Sequence, residues 1–115
     1  MIDVTIKMTV PPPKREEILQ TIKAILASIR LEPGCLSCNC YVDVEMDSNF
    51  CFAEKWRNRK DMEAHLRSAH FGILLGAMSL LEENPEIRFD TISATAKRFT
   101  DRNKRTLRGS VSPGS

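Results

Sequence analysis

The strongest constraint on the fold is a strict alternation of apolar and polar residues at the start of the chain. Residues 2–10 read IDVTIKMTV, with an apolar residue at every second position. This is the period of a strand that buries one face. Three prolines end the strand, and from residue 14 to about residue 30 apolar residues recur every three or four positions, which predicts an amphipathic helix. The chain therefore begins with a strand and a helix.

The same alternation returns in the middle of the chain. Pro33 and Gly34 predict a turn after the helix. Residues 36–45 then alternate as a second strand, and a short polar connection leads to a third strand at residues 50–57. Strands joined by so short a connection pair as a hairpin.

The remaining elements are a second helix and a fourth strand. Asn58, followed three residues later by Asp61, predicts the N-cap of a helix that runs to about residue 68. The next stretch is apolar, but Gly72 and Gly76 predict only short or broken helical turns there. Residues 86–96 predict the last strand.

The predicted order is β-α-β-β-α-β, which is the ferredoxin-like pattern of the α+β class. Such a fold has an antiparallel sheet with two helices on one face. A chain of 115 residues has the length of one domain. We expect this domain to cover residues 1–96, and residues 97–115 to form a basic C-terminal tail that contains Gly, Ser and Pro.

Charge and hydropathy limit the expected location and partners. The start of the chain lacks the features of a secretory signal, and the longest apolar run, residues 71–81, is shorter than the ~20 residues that cross a bilayer. We expect a cytoplasmic protein without a membrane partner. Residues 97–115 carry six Lys/Arg and one Asp, a net charge of +5, so residues 1–96 carry −3. Nucleic-acid binding is therefore not expected of the domain.

The four cysteines suggest a metal or disulfide site at first sight. Cys35 and Cys38 have C-x-x-C spacing, but a structural zinc site needs a second pair of ligands at similar spacing, and none follows. No metal is predicted. Cys38 is expected to be a reduced, buried side chain on an apolar strand face that also carries Leu36 and Val44.

Four short motifs in order give the chain a specific resemblance. Residues 32–35 (EPGC), 54–56 (EKW), 63–66 (EAHL) and 69–71 (AHF) resemble the pattern of the antibiotic biosynthesis monooxygenase family, and its quinol monooxygenase-like members in particular. The resemblance implies a homodimer in which two sheets pack as a dimeric α+β barrel. It also implies oxidation of a quinol-like or polyphenolic small molecule by O2, without a cofactor.

This chemistry requires a base, because loss of the proton from a phenolic hydroxyl gives an anion that can pass an electron to O2. His65 is our candidate, since its reference pKa of about 6.5 lets it accept a proton near neutrality. On the predicted second helix it lies at the flank of the inward stripe. The alternative is a histidine that only packs and forms hydrogen bonds.

Five further residues are candidates for contact with the substrate. Trp56 could stack on an aromatic ring, although a large aromatic residue at a strand end is more often part of the core. His70 could line the same pocket or cap the end of the helix. Asn39 and Tyr41 share one strand face that could orient a substrate oxygen or form the dimer contact. Phe71 could be pocket wall or core.

Glu54 is a separate case, because it is an acid between two aromatic residues on one strand face. Burying it without a partner would be costly. We therefore expect it to pair with a Lys or Arg, of the same chain or across the dimer, and a catalytic role is the alternative.

Three other functions are alternatives for this scaffold. Some relatives degrade haem, but the Asn of their first strand is absent from residues 1–10, and Leu75 stands where their iron-binding His is found. An isomerase of phosphorylated sugars would need a phosphate cradle, which the motif region lacks. A dimeric domain that binds a small molecule without chemistry is the non-enzymatic alternative, because fold does not fix function.

Overall fold

The computed structural model describes residues 1–92, which form four strands and three helices. In chain order these are β1 (Ile2–Thr9), α1 (Pro12–Arg30), β2 (Cys35–Val42), β3 (Asn49–Trp56), α2 (Arg59–Leu66), α3 (Ala69–Met78) and β4 (Glu86–Thr91). The end of the predicted fourth strand, residues 93–96, and the predicted tail, residues 97–115, lie outside the described residues.

The four strands form one antiparallel sheet in the order β2-β3-β1-β4. β1 pairs with β3 from Ile2 opposite Trp56 to Thr9 opposite Asn49. β2 and β3 form the predicted hairpin. Because β1 and β2 flank β3, α1 connects them across the sheet. The α+β, ferredoxin-like prediction is confirmed.

The hydrophobic core lies between the helices and one face of the sheet. Alternate residues of β1 are buried there, as the opening pattern predicts. The α1 stripe supplies Ile18, Ile22, Ile25 and Ile29, which are all buried. Full burial of one such side chain contributes about 1.5–3 kcal/mol, so the α1 stripe alone anchors the helix to the sheet.

α1 begins two residues earlier than the sequence predicts. The prolines that end β1 also start the helix, with Pro11 as the N-cap residue and Pro12 at the first helical position. Proline is tolerated there because the first N–H groups of a helix have no intrahelical partner and because its φ is already helical.

The expectation of broken turns after α2 is wrong, because α3 is a continuous helix. Ser68 is its N-cap, and the Ser68 hydroxyl accepts a hydrogen bond from the Phe71 N–H. Gly72 and Gly76 are exposed and cost the helix roughly 1 kcal/mol each. Burial of Leu74 and Met78 offsets that cost. Three helices, rather than two, therefore cover the sheet.

The predicted orientation of β2 is partly wrong. Cys38 is buried as expected, but the register shifts between Cys35 and Ser37. This irregularity leaves Leu36 exposed, and Val44, beyond the end of the strand, is exposed as well. The cysteines are free thiols, and burial, followed by the nearby charge of Glu54, raises the pKa of Cys38.

Among residues 1–92, no helix has the length and hydropathy that a membrane-spanning segment needs.

Candidate functional site

A buried carboxylate on β3 lies in the core of the described part of the chain. Glu54 faces the helices and is 1% exposed. The prediction that Glu54 pairs with a Lys or Arg is wrong. Instead, Trp56 donates from Nε1 to Glu54 Oε1 at 2.9 Å, and His65 Nε2 lies 2.9 Å from Glu54 Oε2. Both carboxylate oxygens therefore have a hydrogen-bonding partner inside the core.

α2 places His65 against Glu54. The helix begins at a capped end, where the Asn58 side chain accepts a hydrogen bond from the Asp61 N–H. Its buried residues are Met62 and His65, one turn apart. The His65 ring stacks on the Trp56 ring, with centroids 4.5 Å apart and planes at 27°, and it meets Phe71 edge-on at 5.2 Å.

The second ring nitrogen of His65 contacts another carboxylate. His65 Nδ1 lies 2.8 Å from Glu32 Oε1, and Glu32 Oε2 lies 2.7 Å from Nδ1 of His70. Glu32 follows the end of α1, and His70 lies in the first turn of α3. The turn after α1, the strand β3 and two helices thus meet in one hydrogen-bonded chain.

Donors and acceptors alternate along this chain, which we call the His65 network: Trp56, Glu54, His65, Glu32 and His70. Ionised carboxylates only accept hydrogen bonds. His65 between two of them therefore donates from both nitrogens, and His70 donates from Nδ1. Exposure rises from the buried tryptophan to His70, whose side chain is 35% exposed.

The charge of His65 follows from these contacts. Burial by itself lowers the pKa of His65, but hydrogen bonding to Glu54 and its charge, followed by those of Glu32, outweigh the burial and raise the pKa above its usual 6.5. With a carboxylate at each ring nitrogen, the protonated form of His65 is favoured. Its role as the base stays a prediction, and that role would require the ring to lose a proton and one of these hydrogen bonds to open.

The raised pKa of His65 predicts how stability changes with pH. Below about pH 6.5 the ring is protonated in the folded and the unfolded state, so its contribution to stability is complete. As the pH rises through the higher folded-state pKa, that contribution is lost. We expect the free energy of unfolding, measured with urea, to be lower at about pH 8 than at about pH 6.

A His65→Asn variant is the control for this pH effect. The decrease in stability should be smaller in the variant, and an identical decrease in both proteins would contradict the prediction. The upper pH is kept near pH 8 because burial also raises the pKa values of Cys35, Cys38 and Cys40. Thiols of the unfolded chain ionise near pH 8.5 and would add a decrease of the same sign.

A surface depression of about 270 Å³ adjoins the exposed end of the network. Its lining includes Glu32 and His70 together with the apolar side chains of Pro33, Ala64 and Ala69. Asp61 also borders it, but its carboxylate already accepts a hydrogen bond from Arg57 at 2.7 Å. The network thus ends at a small, mainly apolar hollow. Among residues 1–92, no cluster of three or more His, Cys, Asp or Glu is arranged to bind a metal ion.

The six residues predicted for the site lie in two separate places. Trp56 and Phe71 are buried around the His65 ring, and His70 lies at the surface end of the same network. Asn39 and Tyr41 lie on the other face of the sheet, which none of the three described helices covers. Asn39 accepts a hydrogen bond from Arg30 at 3.3 Å.

Glu32 is the site residue that the sequence patterns do not indicate. It belongs to the EPGC motif, which was used only to mark a turn and a family. Glu32 is 33 positions from His65 and 38 from His70, so no local pattern connects them. The available signal was the presence of an acid in one motif and a histidine in each of two others.

The chain is similar to known proteins over most of its described length. The antibiotic biosynthesis monooxygenase family model matches residues 1–72. YcnE of Bacillus subtilis, whose name proposes a monooxygenase, is 31% identical over 71 residues, which are 62% of this chain and 75% of YcnE. The uncharacterised protein sll1783 of Synechocystis is 33% identical over 87 residues, 75% of this chain, although the match spans only 59% of sll1783.

The fold of this chain is similar to that of a solved structure. A conserved protein from Methanosarcina mazei superposes with a TM-score of 0.75 at 26% identity, over 80% of this chain and 92% of that protein. The family match, which covers more than half of the chain, includes β1, α1, the β2–β3 hairpin, α2 and every residue of the His65 network. The chain therefore belongs to the antibiotic biosynthesis monooxygenase family.

Proposed function

We propose that this protein is a cofactor-independent monooxygenase that oxidises a quinol-like or polyphenolic small molecule with O2. The observation that carries the proposal is the His65 network, an acid–base chain that extends from the core to an apolar hollow. Membership of a monooxygenase family and the name of YcnE support the same reaction class. A histidine whose pKa is changed by burial and by specific carboxylate partners, as that of His65 is, belongs to the kind of group that clusters at functional sites.

The reaction begins with transfer of a phenolic proton from the substrate to a base of the network. The resulting phenolate gives one electron to O2, and the radical pair combines to form a carbon–oxygen bond. Protonation of the peroxide anion and loss of water then leave a carbonyl at the oxidised carbon. One oxygen atom of O2 enters the product and the other leaves as water. The electrons that reduce both oxygen atoms come from the substrate.

The network has two roles in this scheme. It provides a proton acceptor at the substrate, and the hydrogen bond from His65 keeps Glu32 oriented next to the hollow. Trp56 and Phe71 pack around the His65 ring and hold it in place. A proton acceptor that is placed in hydrogen-bonding reach of the substrate contributes about 10²–10⁴ to the rate.

The open face of the sheet is assigned to the dimer contact in this proposal. Asn39, Tyr41, Ala53 and Cys51 lie on this face, and no helix of residues 1–92 covers it. A sheet with one bare face commonly buries that face against a second copy. Asn39 and Tyr41 then contact the partner subunit rather than a substrate held at His70.

Oxygen consumption with a panel of quinols in chelator-treated buffer tests the proposed activity. We expect uptake above the autoxidation blank, and ¹⁸O₂ should place one labelled atom in the product. His65→Asn should lose at least 10²-fold in turnover. Its matched control is Leu74→Ala, which opens a cavity in the same core and costs about 2–5 kcal/mol without touching the network.

Both variants are assayed under conditions where circular dichroism shows them folded and light scattering shows the mass of the wild type. Equal turnover in His65→Asn and Leu74→Ala would contradict the role of the network. No uptake with any quinol, or no label in the product, would contradict the monooxygenase.

A second function is favoured by one observation. Both nitrogens of His65 are engaged by carboxylates, which is also what a purely structural histidine requires. A dimeric domain that binds a small molecule without oxidising it would have this arrangement. Saturable binding of a quinol, measured by calorimetry, together with the absence of O2 uptake, would identify this function.

A further inference from the structure

The exposed end of the His65 network has the arrangement of a base paired with an acid. His70 Nδ1 lies 2.7 Å from Glu32 Oε2. Because an ionised carboxylate only accepts hydrogen bonds, this contact holds the ring proton on Nδ1. In the neutral ring the lone pair is therefore on Nε2. This nitrogen has no hydrogen-bonding partner among residues 1–92.

Glu32 is held in this geometry by the hydrogen bond to its other carboxylate oxygen. Its other oxygen, Oε1, lies 2.8 Å from His65 Nδ1, and the side chain of Glu32 is 14% exposed. His65 is in turn fixed by Glu54 at 2.9 Å. Glu32 therefore cannot rotate away without breaking a charged hydrogen bond in a buried place. A base whose partner is oriented by a third group is the arrangement that general-base catalysis requires.

The accessible surface favours His70 over His65 for contact with a substrate. Both histidines border the hollow, but the His65 side chain is fully buried, whereas the His70 side chain is 35% exposed. The hollow has about 270 Å³, slightly below the 300–1,000 Å³ of ordinary ligand pockets. Its walls include Pro33, Ala64 and Ala69. It suits the edge of a small aromatic ring better than a polycyclic molecule.

We infer that His70 and Glu32 form a catalytic dyad in which His70 Nε2 accepts the phenolic proton of a small, one- or two-ring quinol bound in this hollow. The inference rests on the proposed function. His70 is the catalytic residue, because it touches the substrate, and His65 is a positioning residue that acts through Glu32. The proton moves from the substrate oxygen to Nε2, and the same proton later returns to the peroxide anion, so the dyad ends each turnover unchanged.

The first test is independent of activity and reads the tautomer of His70. Two-bond ¹H–¹⁵N spectra of the wild-type protein distinguish a protonated from an unprotonated ring nitrogen. At a pH where the ring is neutral, we expect Nδ1 to be protonated and Nε2 to be unprotonated. In Glu32→Gln the population should shift toward the Nε2–H tautomer. The Nε2–H tautomer in the wild-type protein would overturn the dyad.

The second test is chemical rescue of turnover. His70→Ala should lose about 10²–10⁴-fold in kcat, and added imidazole should restore part of it, because the hollow is open to solvent. Lys60→Ala, which removes an exposed side chain from α2, should keep the wild-type rate and show no response to imidazole. Wild-type turnover in His70→Ala, or a loss that imidazole does not restore, would overturn the role of His70.

The two tests separate failure of this inference from failure of the proposed function. If the wild-type protein oxidises quinols and His70→Ala is equally active, only the dyad is wrong. If the wild-type protein oxidises no quinol, the monooxygenase is wrong, and with it the catalytic role of His70. The tautomer of His70 would then still show whether Glu32 orients the His70 ring.

Discussion

Replacing Glu54 by alanine should lower the free energy of unfolding by about 3–5 kcal/mol, the usual cost of removing one partner from a buried ion pair. The His65 side chain is fully buried and donates to Glu54 at 2.9 Å. Without Glu54, this nitrogen and the Trp56 Nε1–H group each lose an acceptor in a place that water does not reach. The lost carboxyl group also leaves a cavity. Urea denaturation at about pH 7, followed by tryptophan fluorescence and circular dichroism, measures the change.

Two variants show which part of the effect comes from charge. Glu54→Gln keeps the shape and one acceptor, so its loss of stability should lie between those of Glu54→Ala and the wild type. Lys55→Ala removes the neighbouring ion pair with Asp3, which is 3.2 Å long and partly exposed. Exposed pairs contribute about 0–1 kcal/mol. A Glu54→Ala protein within 1 kcal/mol of the wild type would contradict a buried charged cluster.

Much of the fold could be predicted from the sequence because its patterns are local. The alternation of β1 and the apolar stripe of α1 each specify one buried face within a single element. Asn58 marked the start of α2, since capping is a contact over three residues. The order of elements then left the ferredoxin-like sheet as the expected arrangement.

α3 and β2 show where local patterns fail. Gly72 and Gly76 weaken a helix because glycine has a low helix propensity, yet burial of Phe71 and Leu74 in the core outweighs that cost. Leu36 continued the alternation of β2, but the register shift beside it turns the side chain outward. In both cases the deciding interaction is tertiary, and a window of neighbouring residues does not contain it.

The residue types of the candidate site could be predicted from the sequence, but the hydrogen bonds that join them could not. His65 has the appropriate chemistry and direction, and Glu54 was recognised as an acid in need of a partner. The predicted partner is wrong because a histidine from a helix, rather than a Lys or Arg, reaches the carboxylate. Glu32 joins the cluster through the turn after α1, and its distance along the chain from His65 concealed the contact.

Gly34→Ala should be among the most damaging substitutions outside the His65 network, with an expected loss of about 2–4 kcal/mol from two causes. Gly34 has φ = 82°, a left-handed conformation that costs other residues about 1–2 kcal/mol. In addition, a Cβ atom at this position would overlap with the carboxylate of Asp61. Moving Asp61 would break its hydrogen bonds with Arg57 at 2.7 and 3.1 Å.

Gly72→Ala is the matched control, because the same change is made where neither cause applies. Gly72 lies within α3, and a Cβ atom there would meet no other atom within 4 Å. We expect Gly72→Ala to stabilise the protein by about 0.5–1 kcal/mol. Thermal and urea denaturation of both variants measure the difference, and equal stability would contradict the argument. Since Gly34 lies two residues from Glu32 and against α2, Gly34→Ala should also displace Glu32 from His65 and so weaken the proposed activity.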